Sequence, residues 1–149
     1  MTRIGVRRAA LAVIALSFVV SLICFVPGMA TRRVFVFPAA CADGSEGTAI
    51  EARYLPRHPV QGSIPLFVDE MLLGPQSQRA RPLFARGTKA EFCFLRGRTL
   101  YVGLSKDALF PPAGAENILA NIALFRQNVR RNFSSVGEVL LFIDGKYVE

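Results

Sequence analysis

The sequence predicts a two-layer α/β domain, a four-stranded sheet with two helices on one face, preceded by an N-terminal transmembrane helix. Three observations carry this. Short runs at 50–54, 89–95, 99–105 and 138–143 have the alternation or apolar density of strands. Two longer runs, 63–72 and 115–132, repeat apolar residues at helical spacing. One stretch near the N-terminus, Ala9 to Thr31, holds no charged residue. The expected order in the domain is strand-helix-strand-strand-helix-strand.

About 20 apolar residues cross a bilayer as a helix, and Ala9 to Val26 is almost wholly apolar. Arg3, Arg7 and Arg8 precede it and Arg32 and Arg33 follow it, a small bias towards a cytoplasmic N-terminus and an extracytoplasmic domain. Gly28-Met29-Ala30 offers a signal-peptide cleavage site that would leave Thr31 as the mature N-terminus. The apolar core exceeds the roughly 7–15 residues of such signals, which favours an uncleaved anchor. A lipoprotein signal fits poorly: bulky Ile23 precedes Cys24, and two arginines lie shortly upstream of Cys41. The expected organisation is an anchor or signal over 1–31, a linker over 32–47 and the domain over 48–149. The linker rests on Pro38, Gly44, Ser45 and Gly47, with Val34 to Phe37 extending the helix or lying in the interface.

Within the domain, Ile50, Ala52 and Tyr54 alternate with Glu51 and Arg53, a half-buried strand ended by Pro56 and Pro59. Ser63 suits a helix N-cap with Pro65 in the first turn, Leu66, Phe67, Met71 and Leu72 form the stripe, and Gly74-Pro75 stops it. Residues 76–87 read as a loop. Lys89–Leu95 and Thr99–Ser105 form a hairpin. With Arg96, Gly97 and Arg98 as its turn, Phe94 opposes Leu100 and Phe92 opposes Val102, so burial selects that register. Ile118, Ile122, Phe125 and Val129 mark the second helix. Glu138 to Ile143 is apolar on both faces, as central strands are.

The chain has 18 Lys+Arg and 11 Asp+Glu, but five arginines flank the apolar stretch, leaving 13 against 11 in residues 34–149. A near-neutral domain gives no electrostatic case for nucleic acid. Cys41 and Cys93 would share an oxidising compartment, as a disulfide or as two thiols. Catalytic chemistry is thin. His58, the one histidine, sits in a loop, and no metal, nucleotide or nucleophile-elbow motif occurs. Ser105-Lys106-Asp107 places three reactive types in a row, yet neighbours at a strand end diverge and make a poor nucleophile–base pair. Asp43 and Glu46 are too few for calcium. No catalytic residue, cofactor or metal is expected.

Two contact surfaces are. Arg79, Arg81 and Arg86, with Lys89, make the long loop basic, suited to an acidic partner or an anionic wall polymer. The sheet face away from the helices should carry Glu51, Arg53, Cys93, Leu95, Tyr101, Leu140 and Phe142, an apolar centre with a charged rim. The candidate partner-binding residues are therefore Leu140, Phe142, Tyr101, Arg79, Arg81 and Arg86.

Leu72 to Pro75, Gly87-Thr88-Lys89, Tyr101 to Ser105, Val136 with Val139, and Asp144-Gly145-Lys146, after the strand aromatic Tyr54, resemble the pattern of the GerMN domain family. The resemblance spans about two-thirds of the chain. Arg86 stands where proline is frequent, and Gly103 where Asp or Asn is common. The resemblance implies a secreted, lipid-anchored or membrane-tethered module associated with spore germination or cell-envelope assembly, with no agreed catalytic residues. The expected function is a non-enzymatic, extracytoplasmic binding or assembly module of the envelope. Its partner would be an envelope protein or wall polymer, with the membrane engaged through the N-terminal helix. A homo-oligomeric ring subunit is the alternative, and a small wall hydrolase using Ser105 and Lys106 a weaker rival.

Overall fold

A computed structural model describes residues 3–25, 30–40, 46–110 and 117–148, with the side chains of 3–7, 9, 40 and 46 left aside. The first element, α1 (Arg3–Phe25), is a helix whose described apolar side chains, from Leu11 to Phe25, are all exposed. Among the described residues no helix is long and apolar enough to cross a membrane. The helix is there, but the transmembrane assignment is not supported.

The largest departure from expectation follows. Val34-Phe35-Val36-Phe37 belongs to a strand, β1 (Ala30–Ala40), which pairs antiparallel with β2 (Glu46–Pro56) from Ala30↔Pro56 to Ala40↔Glu46. Alternating β-branched and aromatic residues favour that state; next to a long apolar helix they read as its continuation. Phe35 and Phe37 are fully buried, so the expected linker supplies a strand with core residues. Cys41 lies outside the described residues, and Cys93 carries a free thiol.

In β2 the expected facing is inverted. Ile50 and Tyr54 are exposed, while Arg53 and Leu55 are buried. The strand also sits in this two-stranded ribbon, not in the main sheet. A buried guanidinium needs partners, and Arg53 has several. Its Nη1 donates to Glu70 O at 2.9 Å and Glu70 Oε2 at 3.2 Å, and its Nη2 to Glu51 Oε2 at 3.0 Å and Gly74 O at 2.6 Å. It also lies over the rings of Phe35 and Phe37, at 4.7 and 5.6 Å.

Helix α2 (Ser63–Leu72) buries Phe67, Val68, Met71 and Leu72. Gly62, not Ser63, occupies the cap position, with no side-chain cap bond. Gly74, at φ 87°, ends the helix where a left-handed residue is needed. The loop that follows is packed, not merely solvated. Ala80, Leu83 and Phe84 are buried, Ala80 bridges Ala39, and the Arg81 N–H donates to Pro38 O at 2.7 Å.

The main sheet has the order β3-β4-β5-β6, with β3 (Ala90–Arg96), β4 (Thr99–Leu104), β5 (Glu138–Ile143) and β6 (Lys146–Val148). A four-stranded sheet and two helices after α1 are present as expected, although the sheet's fourth strand is β6 and the segment around Ile50 lies in the separate ribbon. Strand β5 is interior, parallel to β4 through α3 (Ile118–Asn132) and antiparallel to β6. The β5–β6 turn uses Asp144 and Gly145, both at positive φ (49° and 73°), as two-residue hairpins require. Ile122, Phe125 and Val129 of α3 are buried, as its periodicity predicts. Asn117 caps the helix, accepting from the Ala120 N–H at 3.1 Å.

Two asparagines off that stripe join α3 to the ribbon. Asn128 accepts from the Val36 N–H at 2.8 Å and donates to Val36 O at 2.8 Å; Asn132 does the same for Val34, at 3.0 and 2.7 Å. One helical turn apart, the two amides take the place of a neighbouring strand along the edge of β1. One core results, running from Phe35 and Phe67 (rings stacked at 4.5 Å) through Phe125 to Leu100, Val102, Leu141 and Ile143.

Candidate functional site

The β3–β4 turn has two residues, since Arg96 pairs with Thr99, Leu95 with Leu100, Phe94 with Tyr101, Cys93 with Val102 and Phe92 with Gly103. This overturns the longer turn expected above, and with it the facing of β3. Partners in an antiparallel pair share a face. Cys93 and Leu95 therefore join Leu100 and Val102 on the helix side, and Phe92 and Phe94 point outward.

The outer face thus differs from the expected one. Glu51 and Arg53 belong to the ribbon's interior and Cys93 and Leu95 to the helix side, while Tyr101, Leu140 and Phe142 keep their predicted place, all half-buried. Phe92, Phe94 and Tyr147, which pairs with Phe142, join them. The rings form a continuous row. Tyr147 lies 5.7 Å from Phe142, Phe142 5.9 Å from Phe92, Phe92 5.9 Å from Phe94, and Phe94 stacks on Tyr101 at 5.1 Å and 10°.

Gly103 makes the row possible. A Cβ there would collide with the Phe92 ring, which lies flat over the glycine. The GerMN resemblance marks Gly103 as a departure from the family pattern, and the ring explains it. Phe94 and Tyr147 remain about half exposed, at 52% and 50%. No described element of the chain covers the row. Thr99, donating to Glu138 Oε2 at 3.4 Å, borders it with a polar end.

The basic loop does not converge on this face. Arg79 and Arg86 are exposed, and Arg81 is half-buried with its backbone fixed to β1. The carboxylate that organises this segment is Glu51, whose Oε1 and Oε2 accept from the N–H groups of Ser77 (2.8 Å) and Gln76 (3.1 Å). Burial would raise the Glu51 carboxyl, but these N–H groups and Arg53 outweigh it and hold it below its ordinary value.

Ser105 is structurally engaged: its Oγ donates to Asp107 Oδ2 at 3.1 Å and accepts from the Lys89 N–H at 3.2 Å. It precedes a single 3₁₀ turn, Lys106–Leu109, in which Lys106 is exposed. That geometry supplies no base to the hydroxyl beyond a neighbouring carboxylate. His58 is exposed in a bend. Among the described residues no group of His, Cys, Asp and Glu could hold a metal ion. An open groove of about 460 Å³ runs between the start of α2 and β3, lined by Ile64, Pro65, Cys93, Leu95 and Phe133 with Arg33 at its rim. Its thiol is not poised for attack, since burial, with Asp69 nearby, pushes Cys93 up to about 11.

No family model and no curated protein matches the sequence. Solved structures do match in fold. The tandem GerMN domains of the sporulation protein GerM from Bacillus subtilis superpose with a TM-score of 0.60 at 13% identity, covering 79% of this chain and 40% of that one. The first GerMN domain of the same protein superposes at 0.54 and 14% identity, covering 77% and 85%. At such identity the likeness is one of fold, and it agrees with the spaced markers from Leu72 to Lys146: this chain has a GerMN-like fold.

Proposed function

We propose that this chain is a non-enzymatic binding module of the bacterial cell envelope, held outside the cytoplasmic membrane by α1, which docks a protein partner on the outer face of β3–β6. The observation that carries the reading is the uncovered aromatic row from Tyr147 to Tyr101, with Gly103 opened to seat Phe92. Contiguous exposed apolar faces with polar borders mark protein contact sites. A sporulation protein of like fold supports the envelope setting. The bonded state of Ser105 favours a binding role over a wall hydrolase. Anchoring by α1 draws support from its exposed apolar side chains and its flanking arginines.

Site-specific photo-crosslinking in intact cells tests this. A benzophenone side chain at position 94 is expected to capture a discrete envelope protein, whereas one at exposed Leu73 is not. Equal capture at both positions, or none at 94, would remove the outer face as the docking surface. Capture of a second copy of this chain would turn the module into a ring or dimer subunit.

A further inference from the structure

The topology gathers arginines at one end of the domain. Strand β1 starts there, opposite the end of β2, with Ala30 facing Pro56 and Arg32 facing Tyr54. The last turn of α3 arrives at the same place carrying Arg130 and Arg131, fixed by Arg33 Nη1 donating to Asn132 O at 2.6 Å. The β3–β4 turn lies beside it: Arg98 O accepts from the N–H groups of Gly137 and Glu138, and its guanidinium reaches Ser134 O at 3.4 Å. Arg32, Arg57, Arg96, Arg98, Arg130 and Arg131 are all exposed at this pole. Among the described residues none of the six forms an ion pair with a carboxylate. Glu138, bonded to Thr99, is the acidic residue at this end.

This concentration is invisible in the near-neutral total for residues 34–149. Cations at the end of α3 also suit its dipole, but that does not account for Arg32, Arg57, Arg96 and Arg98, which come from other elements. The pole is also where the chain leaves for α1. From Phe25 to Ala30 an extended chain spans at most about 18 Å, so a membrane holding α1 lies within reach of the pole and not of the opposite end. Tyr54 and Val60, on the same end, are strongly exposed (70% and 105%), an aromatic and an aliphatic group suited to the interfacial layer.

We infer that this arginine pole is a membrane-docking surface that rests on anionic lipid headgroups, fixing the domain upright with its aromatic face sideways to the bilayer. The inference deepens the envelope reading and rests in part on its tether. Arginine suits phosphate through its bidentate geometry, and juxtamembrane cations gain from a negative leaflet.

Arginine footprinting with phenylglyoxal on the full chain tests it, in nanodiscs of phosphatidylcholine alone or in equal parts with phosphatidylglycerol. With anionic lipid, modification of Arg32, Arg57, Arg98 and Arg131 should slow by about threefold or more and recover at high salt. Arg79 and Arg86, at the far end, should react equally on both discs. The variant Arg57→Glu/Arg98→Glu/Arg131→Glu should lose the protection of Arg32 without a change in Tm. Equal rates on both lipids would overturn the docking surface, as would protection that survives the triple reversal. Failure of the chain to co-elute with neutral discs would remove the α1 tether instead. Protection on anionic discs still decides the inference in that case, and binding to neither disc overturns it as well.

Discussion

The β1–β2 ribbon turns Glu51 and Arg53 inward and leaves Ile50 and Tyr54 in solvent, whereas the β3–β4 hairpin turns Cys93 and Leu95 inward and leaves Phe92 and Phe94 outside. In each, one strand (β2, β3) turns large apolar side chains away from the core, while its partner keeps Phe35 and Phe37, or Leu100 and Val102, inside. The two regions manage this differently. The ribbon pairs both terminal nitrogens of its inward guanidinium, Arg53 to Glu51, Glu70 and the Gly74 carbonyl, under a cover of Phe35 and Phe37, with Nε buried and unpartnered among the described residues. The hairpin lets its outward rings stack on one another and on Phe142, and leaves them half wet. The first arrangement draws its charged partners from the chain itself, and the second is open to an outside partner. Substitutions in the ribbon should therefore act on stability, and substitutions on the outer face on association.

The sharpest way to break this contrast is Arg53→Ala. It strips Glu51 and the Gly74 carbonyl of their buried donor, which should cost about 3–5 kcal/mol in urea unfolding. A loss below about 1 kcal/mol would mean the network is a surface feature and the contrast false. Next is Asn128→Ala, which leaves the Val36 N–H and C=O without partners. About 2–3 kcal/mol is expected, with hydrogen exchange at Val36 accelerated more than at Val102.

Gly103→Ala probes the outer face from below. Its methyl must displace the Phe92 ring, so a loss of about 1–3 kcal/mol is expected, by analogy with overpacking. Phe92→Ala in the same chain should recover most of it, and a double-mutant cycle showing no coupling would deny that the glycine seats the ring.

The smallest effect concerns pH. The Glu51 carboxyl is held below its ordinary value of 4.5 in the folded chain. Its contribution is therefore present above that value and lost as pH falls through the lower, folded one. Asp69 is raised by burial, then by Glu70, and works with the opposite sign, gaining as it protonates. Glu51→Gln should flatten the acid limb of the stability curve, and an unchanged limb would place the acid sensitivity elsewhere.

Legibility in the sequence followed the same divide. The facing of α3 and β5 could be read because periodicity and burial agree there: Ile122, Phe125, Val139 and Leu141 are core, and Leu140 and Phe142 are not. Burial alone misled for β2 and β3, where it assigned Tyr54 and Phe94 to the interior. Turn geometry sets the register of β3–β4, and Gly97, at φ 62°, fits a two-residue turn. For β2 the deciding partners, Glu70 and Gly74, come from another element that local sequence does not reveal. Strand β1 was hidden by its neighbour α1, although Val-Phe-Val-Phe is a strand signal. Asn128 and Asn132 carried a usable clue, amides one turn apart beside an apolar stripe. Of the candidate contact residues, the structure brings Tyr101, Leu140 and Phe142 together and keeps Arg79, Arg81 and Arg86 apart from them.

The central claim, that the outer face serves association and not folding, is tested most directly by Phe94→Glu/Tyr147→Glu. Both side chains are half exposed, Tyr147 at one end of the ring row and Phe94 beside Tyr101 at the other. Unfolding free energy and capture of the envelope partner by co-purification would be measured on the same preparation. The account predicts a stability change within about 1 kcal/mol together with loss of capture. Unfolding of the variant, or capture undiminished with the fold intact, would contradict it.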